Sequence, residues 1–406
     1  MAKERIGIMG GSFNPIHERH IQIAECALKE GRLSRVLFIP TGNPPHKHEG
    51  LESAEHRFEM TRLAVAGKSC FTASRIELDR TGVIYTVDTL TQLQKQFCSA
   101  ELFYIIGEDT LLDLPNWRSP EKVFSMCTFL VCPRTSAGVS MNPICPVLKE
   151  RGAKFQFLSL PPVNVSATAI RQALARGEFP ASLTPQVVEY IRLMGLYGVP
   201  PSPPDGAQIY RRLRQALSDK RLFHSLLVAD TARRLARLHH LDENAAALAG
   251  LLHDCAKCMP LSQLQLVAKE HRLLLDKGTL QSSNLLHGPV GAALAESEYG
   301  VTDPNVLSAI ACHTTGKMGM LPLDMALFLA DKIEPSRHVY PALVRVRELT
   351  ETSLISAMRY SLLSTLDYVA AQKIIPHPST QKVADWLGRL ESQENQRSEG
   401  YERIDC

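Results

Sequence analysis

The 406-residue sequence lacks most of what marks membrane, secreted or nucleic-acid-binding proteins. No apolar run is long enough to cross a bilayer, so a membrane partner is not expected. The formal charge is only +3 and no long block of lysine and arginine is present, so nucleic acid is not expected as a partner either. The ten cysteines have no framework spacing and the first residues lack an apolar leader, which together favour reduced thiols and a cytoplasmic protein.

A proline-rich run divides the chain into two regions of different character. The length alone favours two domains of about 200 residues each. Residues 199–206, VPPSPPDG, have few ways to form helix or strand and are predicted to be an extended linker. We therefore expect one domain over residues 1–198, a second over 207–391, and a polar, disordered tail over 392–406.

Strands alternate with helices through the first domain. The opening run IGIM at residues 6–9 is typical of a buried parallel strand, and apolar residues recur at helical spacing from Glu18 onward. Further strands are predicted at residues 36–40, 71–78 and 102–106, and further helices at 53–66 and from residue 86. This alternation predicts an α/β fold with a doubly wound parallel sheet.

A glycine-rich turn joins the first strand to the first helix. Its backbone can approach a ligand closely, and the amide groups at the helix start suit a phosphate chain. Two histidines, His17 and His20, stand at the same place. The stretch GGSFNPIHERH resembles the signature of the nucleotidyltransferases with the HxGH motif, whose histidines hold the phosphates of ATP. The resemblance implies that ATP is also bound by Gly10, Gly11, Ser12 and Phe13.

One position departs from that motif. Where the HxGH signature has glycine, this sequence has Arg19. The glycine of the family lies close to the nucleotide, so an arginine there either adds a contact to a phosphate or base or obstructs the site. An obstructed site would leave a nucleotide-binding scaffold without adenylyl transfer.

The similarity covers nearly the whole first domain. Five further segments resemble bacterial nicotinate-mononucleotide adenylyltransferases: NPPHK at 43–47, HRFEM at 56–60, IELDRTGVIYTVDTL at 76–90, IIGEDTLLDLPNW at 105–117 and CPR at 132–134. Near the end of the domain, VSATAIR at 165–171 resembles the family motif ISSTxIR, with Ala167 in place of the second serine. The resemblance implies transfer of an adenylyl group from ATP to nicotinate mononucleotide, with nicotinamide mononucleotide or a pantetheine phosphate as alternative acceptors.

The implied reaction needs no general base, because a phosphate oxygen of the acceptor is already an anionic nucleophile. Positioning and charge neutralisation would come from Mg²⁺ together with His17, His20, Lys47 and Arg171. Ser166 is expected to cap a helix and, with Thr168, to bind the triphosphate. By the same resemblance, the pyridine ring of the acceptor lies near Thr86, Asp109, Trp117 and Arg134.

The second domain is predicted to be all-α, since long segments rich in alanine and leucine dominate from residue 207 onward. The doublet His253-Asp254 ends an apolar helix, where two polar side chains are costly unless something binds them. Four histidines and two aspartates supply enough ligands for two first-row metal ions, with Asp254 able to bridge them. These candidate ligands are His224, His253, Asp254, His287, His313 and Asp331.

In order and context, this set resembles the HD superfamily of metal-dependent phosphohydrolases. The segments HSLLVADTARRLA, AGLLHDCAK, LLHGPVGA, AIACHTTG and FLADKIEPSR are closer still to the YqeK-type members, which split diadenosine tetraphosphate symmetrically into two ADP with iron. The resemblance implies two Fe or other first-row divalent ions. Lys257 and Arg337 either meet the polyphosphate charge or are surface charges. A different phosphorylated nucleotide is an alternative substrate, because HD ligands specify metal chemistry better than substrate.

The combined expectation is a bifunctional enzyme. Its substrates would be the small molecules ATP, nicotinate mononucleotide and diadenosine tetraphosphate. The sequence leaves open whether the chain forms a homo-oligomer.

Overall fold

The computed structural model describes residues 3–42, 50–133, 144–161, 165–372 and 378–402, and it describes their side chains except those of residue 378 and residues 394–402. Contacts divide the chain into two compact units: Met1–Ile191 with Gly195–Pro200, and Arg192–Met194 with Pro201–Cys406. The division after Pro200 lies within the proline-rich run.

The first unit is built on six parallel strands: β1 (Arg5–Gly11), β2 (Arg35–Pro40), β3 (Phe71–Ala73), β4 (Glu101–Gly107), β5 (Thr128–Cys132) and β6 (Phe155–Phe157). Their order in the sheet is β3-β2-β1-β4-β5-β6. Ile8 of β1 lies opposite Leu37 of β2 and Tyr104 of β4, and this central position buries it completely. The predicted doubly wound α/β fold is confirmed, and its topological switch point lies between β1 and β4.

Helices follow the strands of this sheet: α1 (Glu18–Glu30), α2 (Ala54–Val65), α3 (Thr86–Gln96), α4 (Thr110–Asp113), α5 (Pro120–Met126), α6 (Ile144–Glu150), α7 (Ala167–Ala175) and α8 (Pro185–Met194). Leu90 of α3 and Phe124 of α5 belong to the same buried cluster as Ile8 of β1. The helical residues expected at 53–66 are confirmed, with Ser53 accepting a capping hydrogen bond from the His56 amide at 3.2 Å.

The strand expected over residues 71–78 is shorter than predicted. It ends at Ala73, because Ser74 Oγ accepts a hydrogen bond from the Ile76 amide at 3.3 Å and the Asp79 amide donates to the Arg75 carbonyl at 3.0 Å. These local bonds turn the chain away from the strand direction.

The second unit is all-α, as predicted: its described residues form helices and the turns between them, with no strand. Its helices are α9 (Gly206–Ala216), α10 (Asp219–Leu238), α11 (Glu243–Leu252), α12 (Leu261–Glu270), α13 (Lys277–Leu280), α14 (Ser283–Ser297), α15 (Pro304–Cys312), α16 (Pro322–Ile333), α17 (Pro341–Thr350), α18 (Leu354–Ala371) and α19 (Pro378–Glu402). Among the helices described here, none is both long enough and apolar enough to cross a membrane.

Residues 392–402 of the tail that was expected to be disordered lie in the described part of the chain. Helix α19 continues through them to Glu402. These residues are too polar to form a hydrophobic core. Glutamate, glutamine and arginine nevertheless have high helix propensity and can extend a helix that is already formed.

Candidate active sites

The first candidate site lies at the carboxyl ends of β1 and β4, on either side of the switch point. Gly10 is required there, because a Cβ atom at this position would lie 2.5 Å from the Tyr104 hydroxyl. The chain then passes through Phe13, whose backbone has a positive φ of 46° and whose buried ring contacts His20 edge-on at 5.1 Å between centroids. The glycine-rich turn therefore brings β1 directly to the histidine pair.

His17 and His20 lie together at the start of α1. His17 is the N-cap residue, and the two ring centroids are 3.8 Å apart. The His17 amide donates to His20 Nδ1 at 3.2 Å, which places the proton of a neutral His20 ring on Nε2. His17 Nδ1 is buried and has no hydrogen-bond partner among the described residues.

Both rings are neutral near pH 7. Burial lowers the pKa of His17 to about 4, and burial together with the neighbouring His17 lowers the pKa of His20 well below its ordinary value. A neutral imidazole can still donate one hydrogen bond to a phosphate oxygen. The pair therefore offers polar contacts to a phosphate chain rather than positive charge.

The helix α7 reaches the same loop. Arg171 Nη1 donates to the Asn14 carbonyl at 2.8 Å, and Arg171 Nη2 donates to Thr168 Oγ1 at 3.2 Å. Ser166 occupies the N-cap position of α7, but its hydroxyl makes no capping hydrogen bond, contrary to the expectation. The first-turn amides of α7 are therefore not satisfied by the Ser166 side chain.

Arg19, between the two histidines, is buried, and its Nη2 donates to the Pro161 carbonyl at 2.7 Å. The sequence left two alternatives for Arg19: contact with the nucleotide or obstruction of the site. The bond to the chain's own backbone is neither of these.

Two of the residues expected around the pyridine ring, Thr86 and Trp117, contact the same tyrosine, Tyr104. The Tyr104 hydroxyl is hydrogen-bonded to Thr86, and the Tyr104 ring meets the half-buried Trp117 edge-on at 5.8 Å. Asp109 is exposed just after β4, and its carboxylate covers Gly107, where a Cβ atom would lie 2.5 Å from Asp109 Oδ1. Tyr104 itself was not predicted. The expected site residues Lys47 and Arg134 lie outside the described residues.

Arg57 is a functional candidate that sequence reasoning left unassigned. It is 1% exposed and donates to the carbonyls of Ser12 at 2.8 Å and Thr41 at 2.7 Å. It also donates to the carbonyls of Glu52 at 3.0 Å and Gly42 at 3.3 Å. One buried guanidinium therefore fixes the ends of β1 and β2 to each other.

Replacing Arg57 by methionine is expected to leave these buried carbonyls without donors and to lower the free energy of unfolding by about 3 kcal/mol. Hydrogen exchange of the peptides that contain Ser12 and Thr41 would rise in the full-length protein. Arg75→Met is the control, because Arg75 makes exposed salt bridges, which contribute roughly 0–1 kcal/mol. Equal effects of the two substitutions would contradict the role assigned to Arg57.

The second candidate site lies where five helices of the second unit meet. His224 is on α10, His287 on α14 and Asp331 on α16. His253 and His313 are the C-cap residues of α11 and α15. Helices α10 and α11 approach closely at Gly250, where a Cβ atom would lie 2.7 Å from Ala229 Cα. A glycine on α11 therefore allows the approach that brings His224 and His253 together.

Asp254 belongs to two groups of potential ligands. The first comprises His224, His253 and Asp254, and the second Asp254, His287 and His313, with the ligand atoms of each group within 4.8 Å of one another. Asp254 Oδ2 lies 3.5 Å from His253 Nε2, whereas Oδ1 lies 3.1 Å from His287 Nε2. The carboxylate thus turns one oxygen to each group.

Asp331 completes the six predicted ligand positions, although it stands outside both groups. Its Oδ1 lies 2.9 Å from His224 Nε2 and 3.8 Å from His253 Nε2. The structure therefore brings all six predicted ligands to one place, with Asp331 beside the first group.

The tautomers of two histidines are set by the helix ends on which they lie. His253 Nδ1 donates to the Gly250 carbonyl at 2.7 Å, and His313 Nδ1 donates to the Ile310 carbonyl at 2.8 Å. Since a carbonyl can only accept, Nε2 of each neutral ring is the unprotonated nitrogen. His253 Nε2 is buried and has no hydrogen-bond partner in the described part of the chain. Both rings are thus arranged as metal ligands.

The charge states suit metal binding as well. Burial lowers the pKa of His253 and lowers that of His313 to about 3. Burial opposes ionisation of Asp254 and Asp331, but a hydrogen bond from His287 to Asp254, and His224 and Arg337 beside Asp331, hold the pKa of both carboxyls well below the usual range. At neutral pH, His253 and His313 are therefore neutral imidazoles and Asp254 and Asp331 are ionised carboxylates, the donor forms that divalent metals require. Burial opposes protonation of His224, but hydrogen bonds to Asp331 and Glu334 raise its pKa above the ordinary value.

Cationic side chains surround this cluster. Arg337 Nη2 lies 2.5 Å from Asp331 Oδ1, and Lys257 Nζ lies 3.4 Å from His287 Nδ1, so neither predicted phosphate ligand is remote from the site. Arg221 was not predicted, although its Nη1 lies 2.7 Å from Asp254 Oδ2. Glu334, likewise unpredicted, lies 3.2 Å from His224 Nδ1. Arg221 precedes His224 by three residues, and Glu334 follows Asp331 by three. Side chains three residues apart on a helix are neighbours, so this spacing could have indicated both.

Comparison with known proteins agrees with the two sites. Residues 8–173 match the family model described as Cytidylyltransferase-like, and residues 221–336 match the HD domain model. A Gloeobacter violaceus protein named "Probable nicotinate-nucleotide adenylyltransferase" is 39% identical over 201 residues, covering 48% of this chain and 98% of that protein. The chain belongs to the nicotinate-nucleotide adenylyltransferase family. This adenylyltransferase also carries an HD domain.

Relatives of the adenylyltransferase include one that contains both parts. A Mycoplasma genitalium protein named "Probable nicotinate-nucleotide adenylyltransferase/Ap4A hydrolase" is 28% identical over 371 residues, covering 90% of this chain and 98% of that protein. The crystal structure of a "predicted HD superfamily hydrolase involved in NAD metabolism" from Clostridium acetobutylicum has 34% sequence identity and a TM-score of 0.43. The match covers 45% of this chain and 95% of the Clostridium acetobutylicum chain.

Proposed function

We propose that the first unit transfers the adenylyl group of ATP to nicotinate mononucleotide in NAD biosynthesis. A phosphate oxygen of the acceptor attacks the α-phosphorus, the bond to the bridging oxygen breaks, and pyrophosphate leaves. The observation that supports this best is the hydrogen bond from Arg171 to the Asn14 carbonyl, which ties α7 to the loop that leads into the histidine pair. Neutral donors and a fixed cation suffice because the nucleophile is already charged.

The chain's own residues would divide the work as follows. His17, His20 and Arg171, together with Lys47, would hold the phosphates in line with the acceptor. Backbone at the glycine-rich turn and the first turn of α7 would contact ATP, through Gly10, Gly11, Ser12, Phe13, Ser166 and Thr168. The acceptor ring would lie at the half-buried Trp117 and Thr86, with Asp109 and Arg134 orienting it.

Mg²⁺ is proposed to enter with ATP. Among the described residues, potential metal ligands gather in groups of three only in the second unit. Imidazole nitrogens are also poor partners for this hard cation, which prefers oxygen. Phosphate oxygens and water would therefore hold the ion.

The acceptor preference and turnover can be tested together. Pyrophosphate release by the full-length protein is measured with ATP, Mg²⁺ and each of three acceptors in parallel: nicotinate mononucleotide, nicotinamide mononucleotide and a pantetheine phosphate. We expect turnover with a clear preference for the nicotinate, whose carboxylate offers a negative charge that the amide lacks. Preference for another acceptor would overturn the substrate assignment. ATP binding without turnover would instead support a silenced scaffold.

We further propose that the HD domain binds two first-row divalent ions, with iron as the expected metal, and hydrolyses diadenosine tetraphosphate to two ADP. The donor set fits, since His253 and His313 present unprotonated Nε2 atoms and Asp254 turns one oxygen toward each ligand group. Two such ions, when bound, supply an activated water and stabilise both oxygens of an in-line phosphoryl displacement.

The substrate proposal is supported by charge around the ligand cluster. Arg221, Lys257 and Arg337 lie within 3.4 Å of a ligand side chain. Their three positive charges suit a tetraphosphate bridge better than a single phosphate. In symmetrical cleavage the water oxygen bonds to one of the two central phosphorus atoms, the bond from that atom to the central bridging oxygen breaks, and two ADP molecules leave.

The reaction products distinguish symmetrical cleavage of diadenosine tetraphosphate from asymmetrical cleavage and from hydrolysis of another nucleotide. The full-length protein is loaded anaerobically with Fe²⁺ and, in parallel, with Mn²⁺, Co²⁺ or Mg²⁺, then given diadenosine tetraphosphate. ADP as the sole product supports symmetrical cleavage, whereas ATP and AMP in equal amounts would contradict it. If no loaded form cleaves this substrate but one cleaves another phosphorylated nucleotide, the HD chemistry stands and the substrate is wrong.

A further inference from the structure

Arg19 lies between the two histidines but binds a distant part of the chain. It is 7% exposed and its Nη2 donates to the Pro161 carbonyl at 2.7 Å, across 142 residues of sequence. Pro161 follows β6, on the segment that leads to α7. A buried guanidinium bonded to a backbone carbonyl is a structural contact rather than an open phosphate-binding group.

The other end of α1 is fastened to the same segment. The Glu30 carboxylate accepts from the Ser159 amide, at 3.0 Å for Oε2 and 3.3 Å for Oε1. The Glu30 carbonyl accepts from Gln156 Nε2 at 2.9 Å. Helix α1 is therefore bound to the chain between Gln156 and Pro161 at both of its ends.

Arg171 makes a further hydrogen bond between α7 and the loop that precedes α1. From Pro161 the chain runs ten residues to Arg171, whose Nη1 returns to the Asn14 carbonyl in the loop before α1. Arg19 thus binds Pro161, and Arg171 binds its own helix α7 to the loop that precedes α1. Both bonds link α1 and its N-terminal loop to the chain on either side of residues 162–164.

We propose that Arg19 is a positioning residue for adenylyl transfer. It fixes Pro161, which follows β6, to α1, so that Arg171 and the first turn of α7 face the histidine pair. This role rests on the proposed function of the first unit. In this role Arg19, which stands where the HxGH signature has glycine, supports the site through a backbone contact rather than by binding the nucleotide.

Removing the side chain tests this role. Arg19→Ala is expected to lower kcat/KM for ATP by about one to two orders of magnitude, mostly through KM, because misplacement of a binding group by about 1 Å can cost that much. Arg19→Lys keeps one donor for the Pro161 carbonyl and is expected to recover most of the loss. An Arg19→Ala enzyme with unchanged or lower KM for ATP would overturn the proposal.

A double-mutant cycle separates positioning from direct contact with ATP. Glu30→Ala removes the bond to the Ser159 amide at the other end of α1. If Arg19 acts by positioning, Glu30→Ala also raises KM for ATP, and the double variant loses less than the product of the two single losses. Independent, multiplicative effects would contradict the proposal. The control is Glu25→Ala on the same helix, whose carboxylate makes an exposed salt bridge with Lys68.

Failure of the adenylyltransferase assignment and failure of the role of Arg19 give different results. ATP affinity is measured by calorimetry for every variant alongside turnover. If wild-type protein binds ATP without turning over any acceptor, the adenylyltransferase assignment fails. If wild-type turns over and the variants bind ATP as wild-type does, only the role of Arg19 fails.

Discussion

Replacing Asp254 by asparagine is expected to remove most of the bound metal and to lower hydrolysis by the HD domain at least about 100-fold, since even partners of metal ligands contribute roughly 10–100-fold. The reason is geometric. Asp254 is the only residue shared by the two ligand groups in the described part of the chain, and each group faces a different oxygen of its carboxylate. An amide supplies one weak oxygen and no negative charge.

Metal content by mass spectrometry and the rate of nucleotide release measure this effect. Asp331→Asn should be milder in metal content than Asp254→Asn, because Asp331 lies beside the first group alone. The control is Asp385→Asn, an exposed aspartate on α19. Adenylyl transfer should be unchanged in all three. Retention of both metals in the Asp254→Asn protein would exclude the shared-carboxylate arrangement.

The fold could be predicted from the sequence where burial leaves a local pattern. Strands β1, β2 and β4 are buried on both faces and appear as apolar runs, and the alternation with helices then implies the parallel sheet. Strand β5 is also a short apolar run and could have been predicted. Strand β6 is three half-buried residues, FQF, at the sheet edge, and carries too little pattern to be distinguished from a loop.

The candidate sites were predictable only as far as their residues carry a motif. The HD ligands stand beside apolar helical segments, where a polar side chain is conspicuous in the sequence. Tyr104 carries no such signal, and Arg57 lies in the HRFEM segment without an indication of its role. Tyr104 matters because its hydroxyl meets Gly10 across the sheet, and Arg57 because it binds carbonyls 5 to 45 residues away. Contacts of this kind arise only when the whole sheet is formed.

Both sites share one device, the placement of neutral imidazoles at helix ends. His17 caps the start of α1 and donates its amide to His20, while His253 and His313 close α11 and α15 and donate Nδ1 to carbonyls three residues back. In each case backbone fixes the ring and its tautomer, and burial keeps it uncharged. The two sites differ in which nitrogen is left to act: a protonated Nε2 on His20, and an unprotonated Nε2 on the two C-cap rings.

That difference makes His20 the most informative residue of the first site. His20→Ala is expected to lower kcat/KM for adenylyl transfer about 100- to 1000-fold, the usual cost of one preorganised donor to developing charge. His20→Gln places an amide N–H near the position of Nε2 and should retain more activity than His20→Asn, whose amide reaches only the position of Nδ1. Because both rings are neutral, the wild-type rate should not rise as pH falls from 8 to 6 through protonation of this pair.

The three variants are compared by pyrophosphate release in the full-length protein, with hydrolysis by the HD domain as the internal control for folding. Greater activity of His20→Asn than of His20→Gln would show that Nδ1 faces the phosphates and that the hydrogen bond from the His17 amide does not set the tautomer. Equal loss in both would mean that ring packing against Phe13, rather than a donated hydrogen bond, is what the histidine contributes. The expected order of activity is glutamine above asparagine and alanine. It follows because the His17 amide binds Nδ1 and leaves the His20 proton on Nε2, the nitrogen proposed to contact ATP.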